Sequence, residues 1–156
     1  MAVRNPSDLK SLLAPGARLL GLDVGTKTVG MALSDTTLLV ASPLDTIRRT
    51  RFRDDAQRIL AEIDRHGVGA VVIGLPLALD GGDTRRSQSV RQFARNLMAV
   101  RDVPIAFWDE RFSTAAVERA MIEADLSRRR RAQLIDRAAA AYILQGCLDR
   151  LRNRDN

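Results

Sequence analysis

The strongest constraint in the chain is an alternation that begins at Arg18. Leu20, Leu22 and Val24 share one face of a β-strand, and Gly21, Asp23 and Gly25 share the other. One side of this strand is made for burial, while the other carries a carboxylate between two glycines. The turn Gly25-Thr26-Lys27 leads into a second strand over residues 29–33, and a weaker third strand is expected over residues 37–41, before Pro43. Ala70-Val71-Val72-Ile73 is a strand of another kind, continuously apolar, as a parallel strand covered on both faces requires. A sheet that holds both kinds is mixed, and it needs helices on both faces.

Helical spacing supplies those helices. Ala56, Leu60 and Ile63 form one stripe within residues 53–66, and Gly67 ends it. Val90, Phe93, Ala94 and Leu97 form a second stripe, Pro104 opens a strand over residues 105–109, and residues 75–83 read as a loop with Gly81-Gly82 as its flexible point. Ser113 or Thr114 can cap a third helix that turns Val117, Ala120, Met121 and Ala124 inward. A long last helix, from about residue 132 to 151, packs Ile135, Ala138, Ala139, Tyr142 and Ile143, and both Trp108 and Tyr142 read as core. The expected fold class is α/β: a mixed five-stranded sheet, an antiparallel three-strand meander plus parallel strands, flanked by helices on both faces. Residues 1–17 read as an N-terminal extension with a short helix capped by Ser7, and residues 18–156 as a single domain.

Composition narrows the chemistry. With His66 and Cys147 as the sole histidine and cysteine, the chain has no internal disulfide and no His/Cys zinc cage, and Ser-His or Cys-His catalysis would depend on His66 alone. A single cysteine, no membrane-length apolar run and no apolar secretory stretch give the expectation of a cytoplasmic protein without membrane association. Carboxylates are plentiful, 15 Asp and 4 Glu, against 23 Arg and two lysines, Lys10 and Lys27, for a net charge of +6. Arginine forks hold phosphate oxygens in pairs, so this surface suits a polyanion; a base-composition bias replacing Lys with Arg gives the same count.

Three acids stand apart. Asp23, with glycine two residues to either side, has room for a metal ion or a phosphodiester beside it; alternatively it ends its strand and caps the turn. Glu110 and Asp109 end the strand over residues 105–109, at the edge where ligands collect in α/β sheets; alternatively they form a turn neutralised by Arg111. Asp136 has Ala139, Ala140 and Ile143 at helical spacing, so its burial needs compensation; alternatively it is an exposed first-turn acid favoured by the helix dipole. Together they make an oxygen-only ligand set suited to Mg²⁺ or Mn²⁺. Two such ions, about 4 Å apart, activate water and stabilise the leaving oxygen of a phosphodiester without any histidine. Lys27 follows Asp23 closely enough to meet a phosphate or pair with an acid. Arg128, Arg129, Arg130 and Arg131 precede the last helix, where their charge opposes its dipole, as a polyanion-facing arm or as a solvated face. Arg85, Arg86, Arg91 and Arg95 recur along the second helix with the same two readings. No GxGxxG or GxxxxGK[ST] loop is present.

Four segments, LLGLDVGTKTVGMALSD, VVIGLPLALDGGDTRRSQSVRQFA, DERFSTAAVE and IDRAAAAYILQGCLD, occur in the order and spacing of the YqgF family of RNase H-like proteins. Members of that family are described as pre-16S rRNA nucleases or Holliday-junction resolvase-like proteins, and the chain resembles them from about residue 19 to 149. The resemblance implies an RNase H-like fold with metal-site acids at Asp23, Glu110 and Asp136. Lys27, Arg111, Thr114 and the loop acid Asp80 match motif positions. The substrate-binding set expected is Lys27, Arg86, Arg111, Thr114, Arg128, Arg129, Arg130 and Arg131. Ala78 stands where the family commonly has Asn, and Thr84-Arg85 replaces a frequent Gly-Pro, which leaves that loop less turn-like and more basic. The implied activity is a Mg²⁺- or Mn²⁺-dependent nuclease of structured RNA, at the 5′ end of pre-16S rRNA in ribosome biogenesis, in a monomer or homodimer. Resolution of branched DNA, whose two symmetric cuts call for a two-fold dimer, is one alternative. A non-catalytic RNA-binding or transcription-associated role is the other.

Overall fold

The computed structural model describes residues 3–112 and 128–154, with side-chain surroundings for residues 3–111 and 138–153. Five strands, β1 (Arg18–Val24), β2 (Thr28–Ser34), β3 (Ala41–Arg48), β4 (Val68–Leu75) and β5 (Ile105–Asp109), form one sheet in the order β3-β2-β1-β4-β5. β1 pairs antiparallel with β2, and β2 with β3, while β1 with β4 and β4 with β5 are parallel. The described helices are α1 (Leu9–Leu12), α2 (Phe52–His66), α3 (Arg85–Val100) and α4 (Arg128–Arg154).

The alternation of β1 sorts the core into two layers. Leu20, Leu22 and Val24, with Val71 and Ile73 of β4, pack against Ala56, Ile59 and Leu60 of α2 and Val90, Phe93 and Leu97 of α3. On the other face Leu19, Ala70, Val72 and Ala106 meet Ala140, Ile143, Leu144 and Cys147 of α4, together with Leu9 of α1. Each large aliphatic side chain taken fully out of water here contributes about 1.5–3 kcal/mol. Gly67 ends α2 in the left-handed conformation, φ 64°, and its N–H donates to the Ile63 carbonyl. α3 starts in a capping box: the Ser87 N–H donates to the Thr84 hydroxyl, and the Thr84 N–H donates to Ser87 Oγ at 2.6 Å.

Several expectations shift. β3 begins at Ala41, after a turn in which the Asp35 carboxylate accepts N–H bonds from Leu39 (2.8 Å) and Val40 (3.0 Å). A hydrogen bond from the Thr37 hydroxyl, foremost, and those N–H bonds hold the Asp35 carboxyl well below the usual carboxylate range. As an edge strand β3 accepts Pro43, opposite Ala32, beside a register shift between Met31 and Ala32. Ser7 caps no helix; it lies in a 3₁₀ turn, Pro6–Asp8, that leads into α1 without a side-chain cap. The N-terminal segment nevertheless packs onto the sheet, with the Arg4 N–H bonded to the Ile105 carbonyl at 2.7 Å and Leu9 fully buried. α4 starts at Arg128, so the four arginines lie inside its N-terminal turns rather than ahead of it. Tyr142 is exposed, and Trp108 is half-buried with its ring over Gly146, where a Cβ would lie 2.9 Å from the indole Nε1. The helix expected after Ser113, with Val117, Ala120, Met121 and Ala124, lies outside the described residues.

Candidate active site

Asp23 stands at the carboxyl end of the central strand, half-buried, one residue before β1 finishes. Its glycine neighbours serve the fold. A Cβ on Gly21 would lie 2.8 Å from Leu144 Cβ and 3.0 Å from the Ala140 carbonyl oxygen, so the space at that glycine belongs to α4. Gly25 closes the hairpin through its N–H to the Thr28 carbonyl, 2.8 Å. The expected clearing at Gly21 is therefore filled, and Asp23 stands at the strand's end.

Glu110 follows β5 directly, in a 3₁₀ turn over Glu110–Phe112. Its side chain folds back over β4: a Cβ on Gly74 would come 2.5 Å from Glu110 Oε1 and 2.8 Å from its Cγ. β4 lies between β5 and β1 in the sheet, and with nothing but hydrogen on Gly74 the carboxyl reaches Asp23 and hydrogen-bonds to it. Burial, the Asp23 hydrogen bond and the Asp23 charge push the Glu110 carboxyl up to about 8, against a smaller opposing pull from the Arg86 guanidinium. At neutral pH the pair holds a proton between two acids, and a divalent cation held there would relieve their repulsion in its place. The donor set, two half-buried carboxylates in contact, fits a hard oxygen-seeking ion.

The neighbouring acids and bases divide differently. Asp109 is engaged by Arg111, whose Nε donates at 2.7 Å, and that ion pair keeps the Asp109 carboxyl low. Arg111 Nη1 donates to the Leu79 carbonyl at 2.9 Å, so this arginine ties the strand end to the loop between β4 and α3. Asp80 accepts from the Gly82 N–H at 2.8 Å and shapes the same loop. Arg86 donates to the Val24 carbonyl at 3.4 Å, next to the acid pair. Lys27 is exposed in the β1–β2 turn. Asp136 lies on α4, two turns before Ile143, and its side chain is outside the described residues, as are those of Arg128, Arg129, Arg130 and Arg131; Thr114 is outside them altogether. Among the described residues no three ligating side chains converge. Sequence reasoning missed Gly74, which in VVIGLP passes as one more residue of an apolar run, and Arg49, one arginine among several in the segment after β3. His66 Nε2 meets Glu62 Oε2 at 3.0 Å within α2, and burial pushes the Cys147 thiol up to about 12.

The family model described as "RuvX: Holliday junction resolvase" matches residues 17–150. The chain belongs to the RuvX (YqgF) family. A relative from Paramagnetospirillum magneticum is 56% identical over 149 residues, 96% of each chain. Another, from Phenylobacterium zucineum, is 53% identical over 98% of this chain and 99% of its own. Both bear names that mark them as candidate pre-16S rRNA nucleases. Among solved structures, RuvC of T. thermophilus in complex with a Holliday junction substrate is 16% identical, with a TM-score of 0.53 over 86% of this chain and 96% of that one. The Fowlpox virus resolvase with Holliday junction DNA is 10% identical, with a TM-score of 0.55 over 86% and 98%. At such identities the likeness is one of fold, and that fold is RNase H-like, as the motifs imply.

Proposed function

We propose that the chain is a Mg²⁺- or Mn²⁺-dependent nuclease of structured RNA that trims the 5′ end of a pre-16S rRNA in the cytoplasm. The observation that carries this reading is the Asp23–Glu110 contact across Gly74: two acids, one at the end of β1 and one just after β5, brought together at the carboxyl edge of the sheet. Asp23, Glu110 and Asp136 would hold the metal, which supplies Lewis-acid polarisation of the phosphodiester and a more acidic water. Asp23 and Glu110 contribute oxygen ligands at the carboxyl edge of the sheet, and Asp136 is the third acid proposed, from α4. Arg86 holds substrate phosphate beside the pair. Arg111 positions the loop between β4 and α3 rather than gripping substrate with a free guanidinium. Lys27, Thr114 and Arg128, Arg129, Arg130 and Arg131 complete the proposed substrate contacts, and the domain proper runs over residues 18–156. The relatives' names support the RNA substrate.

The description of the matching family favours a second reading, resolution of four-way DNA junctions by a two-fold dimer. Cleavage of matched structured RNA, duplex DNA and four-way-junction substrates in Mg²⁺ or Mn²⁺ separates the two. Preferential RNA cleavage supports the first. Paired symmetric cuts in the junction alone support the second, and binding without any product in either metal defeats both. No helix among the described residues is long and apolar enough to cross a membrane.

A further inference from the structure

We propose that Arg49, Arg85 and Arg86 build a phosphate subsite, separate from the acid pair, that holds a neighbouring backbone phosphate of the bound strand. The proposal rests on the nuclease reading and names how the strand is aligned. Beside the end of β1 lies a cavity of about 230 Å³ lined by Val24, Gly25, Thr26, Arg49, Arg85, Arg86 and the first turns of α3 at Ser89 and Val90. No carboxylate lines the cavity, and among the described residues Arg49 and Arg85 belong to no ion pair, while Arg86 also acts on the neighbouring Glu110 carboxyl. Three arginines at one opening, with no carboxylate in its lining, suit an external anion.

Arg49 is held ready for it. Its Nη1 donates to the Gly25 carbonyl at 2.7 Å, and its guanidinium carbon stands 5.4 Å from the centre of the Phe93 ring, which is itself set edge-to-face against Phe52 at 5.3 Å. One N–H is used and the plane is fixed, so the remaining donors are presented without the loss of rotamer freedom that a solvated arginine suffers on binding. Arg86 also lines the cavity, and it donates to Val24, the residue after Asp23. It therefore links the subsite to the acids. Thr26 and Ser89, which also line the cavity, carry hydroxyls of the kind a phosphate oxygen accepts from. An arginine serving only to clamp the hairpin would explain the Gly25 bond, but not the two further arginines at the same opening.

The test uses Asp23→Asn protein, so that binding is read without cleavage, and oligonucleotides carrying one neutral methylphosphonate at successive positions. The expected result is a single position, offset from the scissile phosphate, where neutralisation weakens binding about 10-fold. Arg49→Gln should weaken the unmodified strand by the same factor and show no further loss at that position, and its salt slope should fall by about 0.7–0.9 for the lost contact. Arg85→Gln, on an exposed side chain that cannot unfold the domain, should reproduce part of the effect. Arg49→Lys should keep the fold but not the two-pronged grip. If Arg49→Gln and Arg85→Gln bind every modified strand with the full wild-type pattern of losses, the subsite is wrong even if the protein cuts. If the protein binds with this pattern yet cuts nothing, the subsite stands and the nuclease reading falls.

Discussion

Glu110 owes its place to a missing methyl group. A Cβ at Gly74 would meet Glu110 Oε1 at 2.5 Å, Ile143 Cδ1 at 2.5 Å and Glu110 Cγ at 2.8 Å, all side-chain atoms rather than backbone. Gly74→Ala should therefore cost only about 1 kcal/mol of stability, yet displace Glu110 from Asp23 and lower the cleavage rate by about 10-fold or more. Thermal melting and single-turnover rates measured together check the split. The same carboxyl gives a pH signature. Because its pKa is raised from 4.5 to about 8 by folding, the folded protein keeps a proton that the unfolded chain releases. The stability it contributes is full below pH 4.5 and is lost as pH climbs through 8, with a slope of at most about 1.4 kcal/mol per unit. Metal-free protein should show that decline in denaturant titrations, Glu110→Gln should flatten it, and Mg²⁺ or Mn²⁺ should bind more tightly as pH rises over the same range. Much of this was readable in the sequence only as a choice. Asp109 and Glu110 adjoin at a strand end, and nothing in the string DER says which turns to Arg111 and which to Asp23. The 3₁₀ turn decides it.

At the scale of elements, α4 and β1 are locked by backbone. A Cβ on Gly21 would press on Leu144 Cβ and on the Ala140 carbonyl oxygen, and neither can move without the helix. Gly21→Ala should cost about 1–3 kcal/mol, more than Gly74→Ala, and should lower activity by shifting the helix that carries Asp136. Denaturant midpoints of the two variants give the order. The alternation in residues 18–25 and the stripes of α2 and α3 were legible because period and burial agree there. β3 was placed too early because residues 37–40 are as apolar as a strand, while the Asp35 carboxylate that folds them into a turn acts through hydrogen bonds no periodicity reveals. Tyr142 read as core because it sits in a run of alanines and aliphatics, but α4 turns it away from the sheet. The role of Gly21 was misread for a related reason: a glycine clears space, and the sequence does not say whether a ligand or a helix fills it.

The molecule as a whole sets a surplus of arginine around a small acidic centre. The composition pointed to a polyanion but not to the separation of roles, in which Arg111 and Arg101 are tied to Asp109 and Asp64 while Arg49, Arg85 and Arg86 are left for an anion. Binding of structured RNA by Asp23→Asn protein should fall with salt at a log–log slope of about −3 or steeper, each phosphate contact adding about 0.7–0.9. A shallow slope in fluorescence anisotropy would assign the net charge of +6 to solubility instead. The central claim, that Asp23 and Glu110 form the metal-dependent centre of a nuclease, meets its most direct test in single-turnover cleavage of a structured precursor RNA in Mn²⁺, wild type beside Asp23→Asn of unchanged melting temperature. The rate should drop by about 10³-fold or more; equal rates for the two proteins would contradict it.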